Sequence, residues 1–147
     1  MKSFLIVLSL IFSIHFIGNA QIIKLKSVEG FVQTEDYVKL HYQILGQGQD
    51  TIVVIHGGGV FGSAYLVPDL TPLAAHHVLV FFDQAGAGYS TVVKDTTRYS
   101  INNTIKDIEV IRKHFNLRKL NLLGHSTGGL IFGYYATNYL YKIKSMM

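Results

Sequence analysis

The apolar positions fall into short runs ended by glycine-rich turns, with one long helical stripe among them. Thr51–Ile55, Val78–Phe82 and Leu120–Leu123 are β-branched or apolar almost throughout. Runs of this length without alternation suit strands buried on both faces, as in a parallel sheet covered by helices. Phe31–Thr34 and Val38–Leu45 instead alternate loosely between apolar and polar, with Glu35-Asp36 between them. That pattern predicts an antiparallel pair opening the domain. Ile101, Ile105, Ile108, Ile111 and Phe115 share one face at helical spacing, behind Ser100, a good N-cap. Ala64–Ala75 is expected to be helical in part, and Thr127 to about Tyr141 to form a further helix.

Strands alternating with helices predict βαβ units: an α/β fold with a mainly parallel sheet and flanking helices. Each apolar strand leads into a glycine-containing turn, and in such sheets the C-terminal strand edge is where ligands bind. No repeat or proline-rich linker interrupts the chain, so residues 21–147 read as one domain.

Composition adds mostly exclusions. Hydrophobic residues make up 49% of the 147 and charged residues 15%, enough apolar content to form a core. Part of that excess is N-terminal: Lys2, an apolar run from Phe4 to Ile17, then Gly18-Asn19-Ala20. A basic start, an apolar stretch and a small-x-small site predict a signal peptide over residues 1–20 and export, secreted or periplasmic. The rival is a membrane anchor, but a spanning helix needs about 20 apolar residues, and this run is shorter and contains His15. No stable membrane span is therefore expected; retention of the segment would instead make a lipid-surface protein. The formal charge of +4 is mild and the Lys and Arg residues are scattered, which argues against a nucleic-acid partner. With no cysteine there is neither a disulfide nor a thiolate metal site, and no cofactor or metal site is visible.

The candidate chemistry lies at the turn after the third apolar strand. Gly124-His125-Ser126-Thr127-Gly128 fits G-x-S-x-G, in which a strand turns abruptly into a helix and presents a serine at the apex. Gly124 and Gly128 let strand and helix approach, and the helix start favours negative charge. Ser126 is thus the candidate nucleophile, and the Thr127 N–H a donor to an oxyanion. His56-Gly57-Gly58-Gly59 follows the first apolar strand. Loops of this type supply the second donor, here assigned to Gly58 with Gly57 next. His56 is expected to hydrogen-bond the loop rather than act as a base, and Asp83 to bond the turn of Gly86 and Gly88. His41 and His114 read as polar-face residues, and His76-His77 as part of a connection.

Three segments together resemble the α/β-hydrolase superfamily, in the branch of prolyl aminopeptidases and related esterases: His56-Gly-Gly-Gly-Val60, Asp83-Gln-Ala-Gly-Ala-Gly-Tyr-Ser90 and Gly124-His-Ser-Thr-Gly-Gly129. The resemblance runs from about residue 30 to the last residue. It implies a serine hydrolase acting on a small-molecule ester, amide or peptide. Gly59 and Ala85 replace the branch's proline and arginine, and His125 and Thr127 flank the serine where the aminopeptidases commonly have glycine and tryptophan, so ester hydrolysis fits as well as peptide hydrolysis.

In that family the acid and the histidine follow the serine along the chain. Here all nine acids and all seven histidines precede Ser126. The expectation is the N-terminal part of such a domain, truncated after the elbow helix within a following strand begun by Tyr141–Met147. It would be nearly inactive alone, with a separately encoded C-terminal half as a possible partner. The alternative is a non-catalytic binding protein.

Overall fold

The computed structural model describes residues 27–58 and 60–147; the expected signal peptide lies outside them. Six strands form one sheet: β1 Val28–Gln33, β2 Lys39–Gly46, β3 Thr51–Ile55, β4 Val78–Phe82, β5 Leu120–Gly124 and β6 Ile143–Met146. Their order is β1-β2-β4-β3-β5-β6. β1 and β2 pair antiparallel and β2 runs antiparallel to β4, while β3, β4, β5 and β6 are mutually parallel.

The unalternating strands are explained by two cores, one on each face. Val53 and Ile55 of β3, Val80 and Phe82 of β4, and Leu120 and Leu122 of β5 join the larger core. Ile105, Ile108 and Ile111 of helix α2 (Ile101–His114) and Ile131 and Tyr135 of α3 (Thr127–Tyr139) meet them there. Ile52, Val54, Leu79 and Phe81 point the other way, against Leu66 and Ala74. The predicted cap is present, Ser100 Oγ accepting the Asn103 N–H.

One departure from the sequence expectations has a local cause. Ala64–Ala75 forms no continuous helix but a 3-10 turn (Ala64–Leu66), a single α turn (α1, Val67–Leu70) and a second 3-10 turn (Thr71–Ala75). Pro68 and Pro72 sit at the starts of the last two, where their missing N–H groups break a helical ladder. The strand expected from Tyr141–Met147 does form: the elbow helix stops at Tyr139, and after the turn Leu140–Lys142 the chain enters β6 beside β5.

α3 is locked to α2 by a buried carboxylate. Glu109 accepts hydrogen bonds from Arg112 Nε (2.8 Å), Lys142 Nζ (2.6 Å) and the Tyr135 hydroxyl (2.5 Å). Burial pushes its pKa up, but the Arg112, Lys142 and Tyr135 hydrogen bonds outweigh it and hold the value at about 2. Burial and the Glu109 carboxylate together push the Tyr135 hydroxyl well above its ordinary range. Tyr135→Phe keeps the ring and deletes one charge-assisted bond, so a loss of about 1–2 kcal/mol is expected. Urea unfolding with unchanged slope would show it.

Candidate active site

The candidate nucleophile, Ser126, is presented by backbone strain. β5 ends at Gly124, α3 begins at Thr127, and Ser126 between them adopts φ 55° and ψ −122°. A non-glycine residue there is uncommon and strained, and such positions cluster at functional sites. The turn is seated on the end of β3: the His125 N–H donates to the Ile55 carbonyl at 3.1 Å. Two glycines permit this. A Cβ on Gly128 would lie 2.2 Å from the Ile55 oxygen, and one on Gly124 would lie 2.6 Å from Phe132 Cδ1 and 2.7 Å from the Gly128 carbonyl carbon. Ser126 is exposed.

The end of β3 supplies the facing loop. His56 is buried, its Nε2 accepting the Gln84 N–H at 3.0 Å and its Nδ1 lying 2.6 Å from the Gly57 carbonyl oxygen. This pattern assigns the proton to Nδ1. Burial lowers the imidazole pKa, against the opposing pull of the Gly57 carbonyl and Asp83. The Gln84 side chain returns a bond to the His56 carbonyl at 3.0 Å. Both ring nitrogens are thus occupied in joining the ends of β3 and β4.

Both candidate oxyanion amides of this loop already have acceptors. The Gly58 N–H donates to Thr127 Oγ1 at 2.6 Å, and the Gly57 N–H to the Tyr65 hydroxyl at 2.8 Å. The Thr127 N–H stands at the first helical position, where an α-helix leaves its amides without an intrahelical acceptor. Among the described residues no histidine or carboxylate is hydrogen-bonded to Ser126 Oγ; His125, its neighbour, faces Tyr65 instead.

Asp83 organises the third segment from inside. Its carboxylate accepts the Ser63 N–H (2.7 Å), the Ser63 hydroxyl (2.8 Å) and the Tyr89 N–H (3.0 Å), and lies 3.1 Å from His41 Nδ1. Through the Tyr89 N–H the carboxylate reaches the turn of Gly86 and Gly88, whose own amides are bonded elsewhere. The Gly86 N–H goes to Thr91 and the Gly88 N–H to Val60. Gly88, at φ +52°, makes room instead: a Cβ there would lie 2.2 Å from Asp83 Oδ2. His41 is no ordinary polar-face residue, being buried between Phe31 and Tyr89.

Sequence reasoning missed Tyr65, Gln84 and His41. Gln84 lies inside a quoted segment and could have been named from it, whereas Tyr65 lies outside all three segments, in the stretch read only as partly helical. A cavity of about 400 Å³ lies away from the elbow, lined by Asp36, Arg98, Asp107 and Lys142 among others. These charges neutralise one another, with Arg98 on both Asp36 and Asp107, and Lys142 on Glu109. Among the described residues no cluster of three His, Cys, Asp or Glu could hold a metal ion, and no helix is long and apolar enough to cross a membrane.

A family model described as the alpha/beta hydrolase fold matches residues 50–147. The proline iminopeptidase of Saccharolobus solfataricus is 35% identical over 113 residues, covering 76% of this chain and 36% of that protein. The proline iminopeptidase of Clostridioides difficile is 32% identical over 126 residues, covering 82% and 42%. In structure, a proline iminopeptidase-related protein from Thermus thermophilus superimposes with a TM-score of 0.75 at 19% identity, over 82% of this chain and 43% of that one. This chain therefore spans about two fifths of the length of the relatives it matches.

Proposed function

The chain belongs to the α/β-hydrolase fold family, and on that premise we propose that it carries the nucleophile portion of a serine hydrolase for ester, amide or peptide bonds. The observation that carries the reading is Ser126, held at φ 55° on a strand-to-helix turn against a loop of two glycines. Ser126 Oγ attacks a carbonyl carbon, and the oxygen that gains charge is received by the N–H groups of Thr127 and Gly58. The Gly58 N–H must first leave Thr127 Oγ1, so the hole opens when substrate displaces that hydroxyl. Asp83 and His56 hold the surrounding turns. The proline iminopeptidase relatives support a small substrate; with Ala85 and Thr127 in place of that branch's usual residues, an ester fits as well as a peptide or amide.

The base that activates the serine, and the acid that orients it, would come from residues beyond these 147, in the same polypeptide or in a separately encoded C-terminal portion. A serine hydroxyl without an adjacent base is a weak nucleophile. Acylation by a reactive ester would therefore be slow, and deacylation slower still. Export through residues 1–20 belongs to the same proposal, and an N-terminus at Gln21 in the mature protein is its check. A non-catalytic binding role is the second reading, favoured by the occupied amides of Gly57 and Gly58.

Incubation with p-nitrophenyl acetate separates these readings. The bond from Ser126 Oγ to the acetyl carbon forms, p-nitrophenolate leaves, and the serine proton passes to solvent. One acetyl group per chain, absent in Ser126→Ala, is the expected result by intact mass. Repeated turnover would show that a working base lies within the 147 residues. An equal adduct in Ser126→Ala would remove Ser126 from the chemistry.

A further inference from the structure

The loop facing the nucleophile is held by a side chain outside all three motifs. Tyr65 stands in the 3-10 turn Ala64–Leu66, half-exposed. Its hydroxyl accepts the Gly57 N–H at 2.8 Å and lies 2.8 Å from His125 Nδ1. The two rings meet edge to face, centroids 5.5 Å apart at 69°. A Cβ on Gly57 would lie 3.0 Å from that hydroxyl, 3.2 Å from Ser126 Cβ and 3.3 Å from His125 Nδ1. Loop, nucleophile, imidazole and phenol therefore converge on one point.

We propose that Tyr65 is a positioning residue of the nucleophile site, its hydroxyl fixing the Gly57–Gly58 loop against Ser126 and turning His125 away from it. The proposal rests on the assignment of Ser126 as nucleophile. Consecutive glycines have the widest backbone freedom of any residues, so a loop built from them needs an external hold. The acceptor on Gly57 supplies that hold one residue before the amide that would receive the oxyanion. Tyr65 can also accept from one partner and donate to the other, so a single hydroxyl sets the distance from loop to elbow and the orientation of the residue preceding the serine. An oxyanion hole depends on donor placement, and a displacement of about 1 Å can cost roughly a hundredfold in rate.

Tyr65→Phe tests this, because the ring stays against His125 and only the hydroxyl goes. Two readouts are taken on the same protein: the ¹⁵N and ¹H shifts of the Gly57 amide with the ¹⁵N shift of His125 Nδ1, and the rate of Ser126 acetylation by p-nitrophenyl acetate. The expected result is a folded variant with a nearly unchanged melting temperature. Its Gly57 amide proton moves upfield, its His125 Nδ1 shift changes, and acetylation slows by roughly 10- to 100-fold. Unchanged Gly57 and His125 shifts overturn the proposal, as does acetylation at the wild-type rate. If wild type itself acquires no Ser126-dependent adduct, the nucleophile assignment fails, and the shifts alone decide whether Tyr65 holds the loop.

Discussion

A Gly128→Ala chain is expected to lose on the order of 3 kcal/mol or more, with a melting temperature lower by about 10 °C. The added methyl would sit 2.2 Å from the Ile55 carbonyl oxygen and 2.9 Å from that of His56. Neither atom can retreat. Both belong to backbone at the end of β3, which is paired on one side to β4 and on the other to β5. The start of α3 must lift instead, breaking the seating of the elbow that the His125 N–H makes on Ile55. The neighbouring glycine is the control. The nearest atom to a Cβ on Gly129 is 4.0 Å away, so Gly129→Ala meets no clash. It should be neutral or stabilise by about 0.5–1 kcal/mol, the ordinary gain of alanine over glycine inside a helix. Thermal unfolding of both variants decides the matter: equal melting temperatures would show that the close approach of α3 to β3 is not what holds the elbow.

The second large effect is electrostatic. Glu109→Gln is expected to cost roughly 2–4 kcal/mol at neutral pH, because Arg112, Lys142 and the Tyr135 hydroxyl all lose a charged acceptor in a mostly buried site. The sign of the pH dependence follows from the carboxylate. Its folded pKa of about 2 lies below the ordinary 4.5. Between those values the unfolded chain binds the proton more readily than the folded one, so lowering the pH drains stability. The contribution is complete above about pH 5 and is lost progressively as the pH falls towards 2. Urea midpoints of wild type and Glu109→Gln should therefore lie far apart at pH 6 and converge as the solution is acidified. A gap that stays constant down to pH 2.5 would show that ionised Glu109 does not stabilise the fold.

Much of the sheet was legible because its strands are buried on both faces. A run such as Val78–Phe82 has no polar position to spare, and the two cores take its residues alternately. The stripe of α2 and its Ser100 cap were equally plain. The connection through Ala64–Ala75 was not, because its apolar content reads as helix while Pro68 and Pro72 divide it into single turns. The site divides along the same line. Ser126 and the glycines announce themselves because a strained turn and a backbone contact admit few residue types. Tyr65 does not, because a tyrosine near an apolar stretch reads as core, and what gives it a role is contact with Gly57 and with His125, 60 residues later. His41 was misread for a related reason. In β2 both Leu40 and His41 are buried, the histidine covered by Tyr89 from a turn nearly 50 residues on.

The strand order also constrains how the chain acquires its shape during synthesis. The β1–β2 hairpin is local and can form as soon as residue 46 clears the ribosome. β3 emerges next, but its two hydrogen-bonding neighbours are β4 and β5. One edge waits for residues 78–82 and the other for residues 120–124. Translation at about 5–20 residues per second leaves Ile52–Ile55, apolar at every position, half-zipped for several seconds. Fast collapse is therefore no advantage to a nascent chain of this design, and aggregation through β3 is its characteristic hazard. Slowed translation after residue 55 should lower the soluble yield, whereas slowed translation after residue 124 should leave it unchanged.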